Sequence, residues 1–157
     1  MRLVSPAFDD GAKIPKKYSE DGENVSPPLV LEEVPEAARS IAIIMDDPDA
    51  PRDDPWVHWV LYNAPADTRE LPEALPRRED LDRPIRARQG MNTWPKHNIG
   101  YRGPAPPKGH GTHHYRFHAY ALDDELPVSG GLVKDALLHA MDGHVVAKAV
   151  LVGTYER

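Results

Sequence analysis

The sequence predicts a mainly β protein with one or two short helices near the C-terminus. Three observations carry this. Ser40–Met45, Trp56–Asn63 and Thr112–Leu122 are runs rich in β-branched and aromatic residues. Only Leu132–Met141 shows helical spacing, with Val133, Ala136, Leu137, Ala140 and Met141 on one stripe. The connecting stretches are dense in Pro, Gly and Asp, which punctuate rather than propagate regular structure.

Taken in order, residues 1–29 are turn-rich, with Asp9-Asp10-Gly11, Ile14-Pro15, Asp21-Gly22 and Ser26-Pro27-Pro28, and Leu29-Val30-Leu31 reads as a short strand. Ser40–Met45 reads as a buried strand because Ile41, Ile43 and Ile44 precede an Asp/Pro turn. In Trp56–Asn63 a period of two puts Trp56, His58, Val60 and Tyr62 on one face and Val57, Trp59 and Leu61 on the other. Residues 64–110 carry prolines at short intervals and are expected to be irregular. Thr112–Leu122 puts His113, Tyr115 and Phe117 on one face and His114, Arg116 and His118 on the other. The Leu132–Met141 helix is expected to stop at Gly143, with His139 in its last turn, and Val145–Tyr155 forms a final apolar strand.

The composition bounds the function. A chain of 157 residues fits one domain, 1–157, with a real core. The longest apolar run, Ile41–Met45, is too short to span a membrane, and the first residues lack the apolar stretch of a secretory signal, so a cytoplasmic protein is expected. The absence of cysteine removes disulfides, thiol catalysis and cysteine-bound zinc. A net charge of −6 disfavours nucleic-acid binding, which wants a basic face.

Two segments hold the unusual chemistry. Asp46-Asp47-Pro48-Asp49-Ala50-Pro51 leads into Trp56-Val57-His58-Trp59, and Gly100-Tyr101-Arg102-Gly103-Pro104-Ala105-Pro106-Pro107-Lys108-Gly109 leads into His110-Gly111-Thr112-His113-His114-Tyr115. In each, a stiff turn abuts a histidine-bearing strand, the usual setting of a small-molecule site. The bland readings are an acidic, solvated turn over Asp46–Asp54 and a satisfied core histidine at His58. His110, His113, His114 and His118 split between strand faces with no carboxylate at ligand spacing, so no metal is expected. No nucleophile elbow, phosphate-binding loop or dinucleotide fingerprint is present, so neither catalysis nor a cofactor is expected.

The order Ser26-Pro27-Pro28, Asp47-Pro48-Asp49-Ala50-Pro51, His58-Trp59, Gly100-Tyr101 with Gly103-Pro104 and Pro106-Pro107, and His113-x-Tyr115-x-Phe117 resembles the phosphatidylethanolamine-binding protein family, in its short prokaryotic, Raf kinase inhibitor-like branch. The resemblance covers nearly the whole chain. It implies a β-sandwich-like fold with a small anion-binding pocket, mapped onto Asp47, Asp49, Pro51, His58, Gly103, Pro106, His113 and Tyr115. It also implies a cis peptide near the first motif, for which Ala50-Pro51 is the candidate. His114 stands where many members have arginine, and the C-terminal helix that borders the pocket in eukaryotic members has no counterpart before Arg157.

The function expected from these features is capture of a small anionic group such as phosphate, sulfate, a carboxylate or a phospholipid headgroup. With His58 and His113 as imidazolium donors, binding would weaken as pH rises through the histidine range. If Asp47-Pro48-Asp49 is extended, its two carboxylates share a face, and Tyr101 and the tryptophans supply apolar contact. The alternative is an interaction protein that docks on a protein kinase or serine protease and inhibits it.

Overall fold

A computed structural model describes all residues 1–157. Strands β1 (Arg2–Val4), β2 (Leu29–Glu32) and β5 (Glu70–Leu71) form a small antiparallel sheet in the order β1-β2-β5. Strands β3 (Ser40–Asp47), β4 (Trp56–Pro65), β6 (Asp80–Leu81), β7 (Ala87–Gln89), β8 (His113–Leu122) and β9 (Val145–Tyr155) form a six-stranded antiparallel sheet in the order β6-β7-β4-β3-β8-β9. Helix α1 (Lys134–Met141) starts two residues later than its periodicity suggests and ends before Gly143, which takes φ 82°. The second helix is a single 3-10 turn at Lys16–Tyr18, near the N-terminus rather than the C-terminus.

The main core lies between the sheets. Leu3, Leu29, Leu31 and Leu71 of the small sheet meet Ile41, Ile43, Met45, Trp59, Leu61, Phe117 and Leu151 of the large one. On the other face of the large sheet, Leu137 and Met141 of α1 close over Ala42, Ile44, Val60, Tyr62 and Leu122. β3 is therefore covered on both faces, which is why its run is apolar without alternation.

Two irregularities in the β3–β4 pairing set side-chain directions. Met45 faces Trp59 and Asp46 faces Val57, so His58 is an extra residue in the ladder. The simple alternation expected for β4 fails there. Val57 joins Val60 and Tyr62 on the helix side, while His58 turns to the Tyr115 side. The second shift lies between Ile41 and Ile43, opposite Asn63 at φ 57°. The Asn63 amide is fixed by both backbone groups of Leu126, each at 2.9 Å. The irregular stretch 64–110 contains β5, β6 and β7, two or three residues each, which exist because longer strands pair with them.

The expected cis bond at Ala50-Pro51 is not found. The cis X-Pro bond is Arg83-Pro84. No helix is long and apolar enough to cross a membrane.

Candidate functional site

At one end of the large sheet β3 runs out, β4 and β8 begin, and β9 ends. A cavity of about 360 Å³ opens there, lined among others by Asp47, Pro51, His58, Pro106, His113 and Tyr115. Six of the eight residues singled out in the sequence thus meet. Asp49 and Gly103 lie outside the lining. Asp49 accepts from the backbone N–H of His114 at 2.7 Å and pairs with its Nδ1 at 2.8 Å. Burial pushes its carboxyl up, but these bonds outweigh it and hold the group below the usual aspartate range. Gly103 allows the proline-rich loop to cross Tyr18, since a Cβ there would sit 2.0 Å from the Tyr18 carbonyl oxygen.

The Asp47-Pro48-Asp49 segment is a turn, not an extended strand. Asp47 Oδ1 accepts the N–H of Asp49 at 2.8 Å, an Asx turn, so the two carboxylates diverge toward different histidines. Asp47 Oδ2 lies 2.7 Å from Nδ1 of His113, with both side chains buried. An ionised carboxylate only accepts, so His113 carries a proton on Nδ1. Its Nε2 lies 2.6 Å from Nδ1 of His110, and one proton joins the two rings.

His58 behaves differently. Its Nδ1 lies 2.7 Å from the Arg102 carbonyl oxygen, and its own carbonyl accepts the Arg102 N–H at 2.9 Å. A carbonyl cannot donate, so Nδ1 carries the hydrogen. Burial lowers the ring's pKa to about 4, against a smaller upward pull from that carbonyl and from Asp47. At neutral pH His58 is therefore an uncharged imidazole with a lone pair on Nε2. The imidazolium donor expected at His58 is thus not the form at neutral pH, and Nε2 is able to accept. Its ring meets the edges of Trp94 at 5.0 Å and Tyr115 at 5.1 Å.

Tyr115 is completely buried, yet its hydroxyl has no hydrogen-bond partner in the protein. Burial, reinforced by the Asp47 charge, raises its pKa far above the usual phenol range, so the group remains an O–H donor. An unpaired buried hydroxyl costs about 1–3 kcal/mol, and most buried polar groups are paired.

The sequence missed several wall residues. Glu20 and Arg157 both line the cavity, beside Trp94 from the tryptophans expected to give apolar contact. Glu20 is held by the Arg102 guanidinium, and Arg157 by Asp21 at 2.8 Å. Arg157 thus borders the pocket. His114, in the place of the family's arginine, is exposed and serves Asp49. Trp56 and Trp94 form the rim in a T-shaped pair at 5.3 Å, whereas Trp59 is core. Tyr101 is core too: its hydroxyl donates to the Tyr18 carbonyl at 2.6 Å and its ring packs on Trp59. The pairings of Glu20 and Arg157 bridge distant parts of the chain, so no local pattern announces them.

Known proteins resemble this chain over nearly its whole length. The family model described as phosphatidylethanolamine-binding protein matches residues 4–156. A UPF0098 protein of Methanothermobacter thermautotrophicus is 46% identical over all of this chain and 99% of its own length. One from Pyrococcus abyssi is 44% identical over all of this chain and 86% of its own length. A crystal structure of a phosphatidylethanolamine-binding protein homologue from Chlamydia trachomatis superposes with a TM-score of 0.88 at 44% identity, covering 99% of this chain and 97% of that one. YbcL of E. coli, described as a member of the mammalian family, gives 0.88 at 31% identity, covering 99% and 98%. A carboxypeptidase Y inhibitor solved with its cognate proteinase shares the fold alone, with a TM-score of 0.53 at 16% identity over 99% of this chain and 82% of that one. With sequence and fold in agreement, the chain belongs to the phosphatidylethanolamine-binding protein family.

Proposed function

We propose that this protein captures a small oxyanion, such as phosphate or a phosphorylated headgroup, in the cavity floored by His58, His113 and Tyr115. The observation that carries this reading is the Tyr115 hydroxyl, a buried donor with no acceptor in the protein. An oxyanion is the complementary partner, and the guanidinium of Arg157, paired with Asp21, stands at the wall. The two carboxylates at the cavity do not occupy its free donors, because Asp47 is engaged by His113 and the Asp49 N–H, and Glu20 by Arg102. Pro51, Pro106 and Pro107 stiffen the rim, so little freedom is lost on binding. The volume suits a headgroup or small metabolite rather than two acyl chains.

Tyr115→Phe is the direct test, because it removes only an atom that nothing in the protein uses. Calorimetric titration with inorganic phosphate is expected to show binding by the wild type and a loss of about tenfold or more in the variant. The variant should also unfold at least as late as the wild type, since an unpaired buried polar group is gone. Equal phosphate affinity in both proteins sinks the reading. The docking-inhibitor reading borrows only from the carboxypeptidase Y inhibitor, whose likeness is one of fold, and no surface feature favours it.

A further inference from the structure

The cavity presents two kinds of polar group, and they ask different things of a ligand. Arg157 can only donate, and the Tyr115 hydroxyl keeps a proton to donate. His58 is fixed the other way. Its Nδ1–H is spent on the Arg102 carbonyl at 2.7 Å, and that residue's N–H holds the His58 carbonyl at 2.9 Å, so the ring cannot flip without breaking its anchor. Trp94 and Tyr115 pack against the ring in T-shaped contacts. No carboxylate touches the ring to stabilise a second proton, and the side chain is buried. Nε2 is left as an unpaired acceptor in a wall of the cavity.

From this geometry we infer that His58 makes the site selective for an oxyanion that itself carries an O–H: inorganic hydrogen phosphate or a singly ionised phosphomonoester. The inference rests on the anion reading above and narrows it. A P–OH donates to Nε2 of His58 while the remaining oxygens accept from Tyr115 and Arg157. Sulfate and fully esterified phosphodiesters have no such hydrogen. They place an oxygen lone pair against the nitrogen lone pair and leave Nε2 without a donor. A site built to pair with a ligand hydroxyl rejects analogues lacking it far more strongly than an apolar pocket rejects a methylene. The relevant difference is therefore the ligand's proton rather than its charge, because dimethyl phosphate carries the same single charge as dihydrogen phosphate.

The test is a calorimetric series at pH 6.0 on the full chain with inorganic phosphate, methyl phosphate, sulfate and dimethyl phosphate as probes. About half of a phosphomonoester is singly ionised at this pH. Phosphate and methyl phosphate should both bind, at least about tenfold more tightly than sulfate and dimethyl phosphate, the equivalent of one hydrogen bond. Methyl phosphate against inorganic phosphate distinguishes an esterified metabolite from the free ion as the better ligand. His58→Gln, whose amide can turn either a donor or an acceptor inward, should bring the phosphate-to-sulfate ratio toward one. The wild-type ratio decides the matter even if that variant is unstable. Sulfate or dimethyl phosphate binding as tightly as phosphate overturns the inference. If phosphate binding also survives Tyr115→Phe, or if no probe binds, the pocket reading falls with it. If Tyr115→Phe abolishes binding but sulfate equals phosphate, only the role of His58 is lost.

Discussion

His58 and Tyr115 divide the polar chemistry of the cavity between an acceptor and a donor, and each owes its state to burial. For His58 this has a consequence for stability. The unfolded chain takes up the proton near pH 6.5, whereas the folded ring resists until about pH 4. Between these values the unfolded state binds more protons, so this contribution is full above pH 6.5 and is lost as pH falls toward 4. Its size is about 3 kcal/mol at 1.36 kcal/mol per unit. Asp46 and Asp49, with lowered values, act in a separate window: their support is present above pH 3.8 and fades below it. Urea unfolding across pH 4–7 should show the loss in the wild type, and His58→Gln should flatten it. An unchanged slope in the variant would assign the effect elsewhere. His113 and Tyr115 were legible as neighbours because alternation along one strand is local. The polarity of His58 was not, because it depends on Arg102, 44 residues away.

At the scale of elements, strands with dense β-formers were visible because β propensity and burial act along the same run. β3, β4, β8 and β9 appear within two residues of where the sequence places them. What escaped is whatever a partner strand imposes. The extra residue at His58 exists only relative to β3, and it carries the imidazole to the cavity side. β5 and β7 take their form from β2 and β4. The proline-rich wall depends likewise on a close crossing at Gly103, whose N–H donates to Asn24 Oδ1 at 2.7 Å. Gly103→Ala forces a methyl group against the Tyr18 carbonyl and the Ser19 Cα. A loss of about 1–3 kcal/mol in chemical denaturation is expected, with weaker phosphate binding because the wall moves. Wild-type stability in this variant would show that the crossing is loose.

At the scale of the whole molecule, the large sheet separates two tasks. Its cavity end holds Asp47 with His113. Beside it on β3, Asp46 turns to the helix side and accepts from Arg116 at 2.9 Å, Lys134 at 2.9 Å and His118 at 3.4 Å. Burial pushes the Asp46 carboxyl up, but these three donors outweigh it and hold it well below the usual range. One carboxylate thereby ties β3, β8 and α1 together. Breaking a buried ion cluster from one side costs several kcal/mol, and the partial exposure of the cations trims this to about 2 kcal/mol for Asp46→Asn. Phosphate affinity should be unaffected, since Asp46 lies outside the cavity lining. A large loss of affinity at unchanged stability would show that the two faces are coupled.

The cavity is proposed to receive an oxyanion on Tyr115. A crystal of the protein soaked in sodium phosphate, refined beside one grown without added anions, tests it most directly. A tetrahedral anion is expected with one oxygen about 2.7 Å from the Tyr115 hydroxyl. Phosphate found only elsewhere, with the Tyr115 hydroxyl left unpaired at saturating concentration, would contradict it.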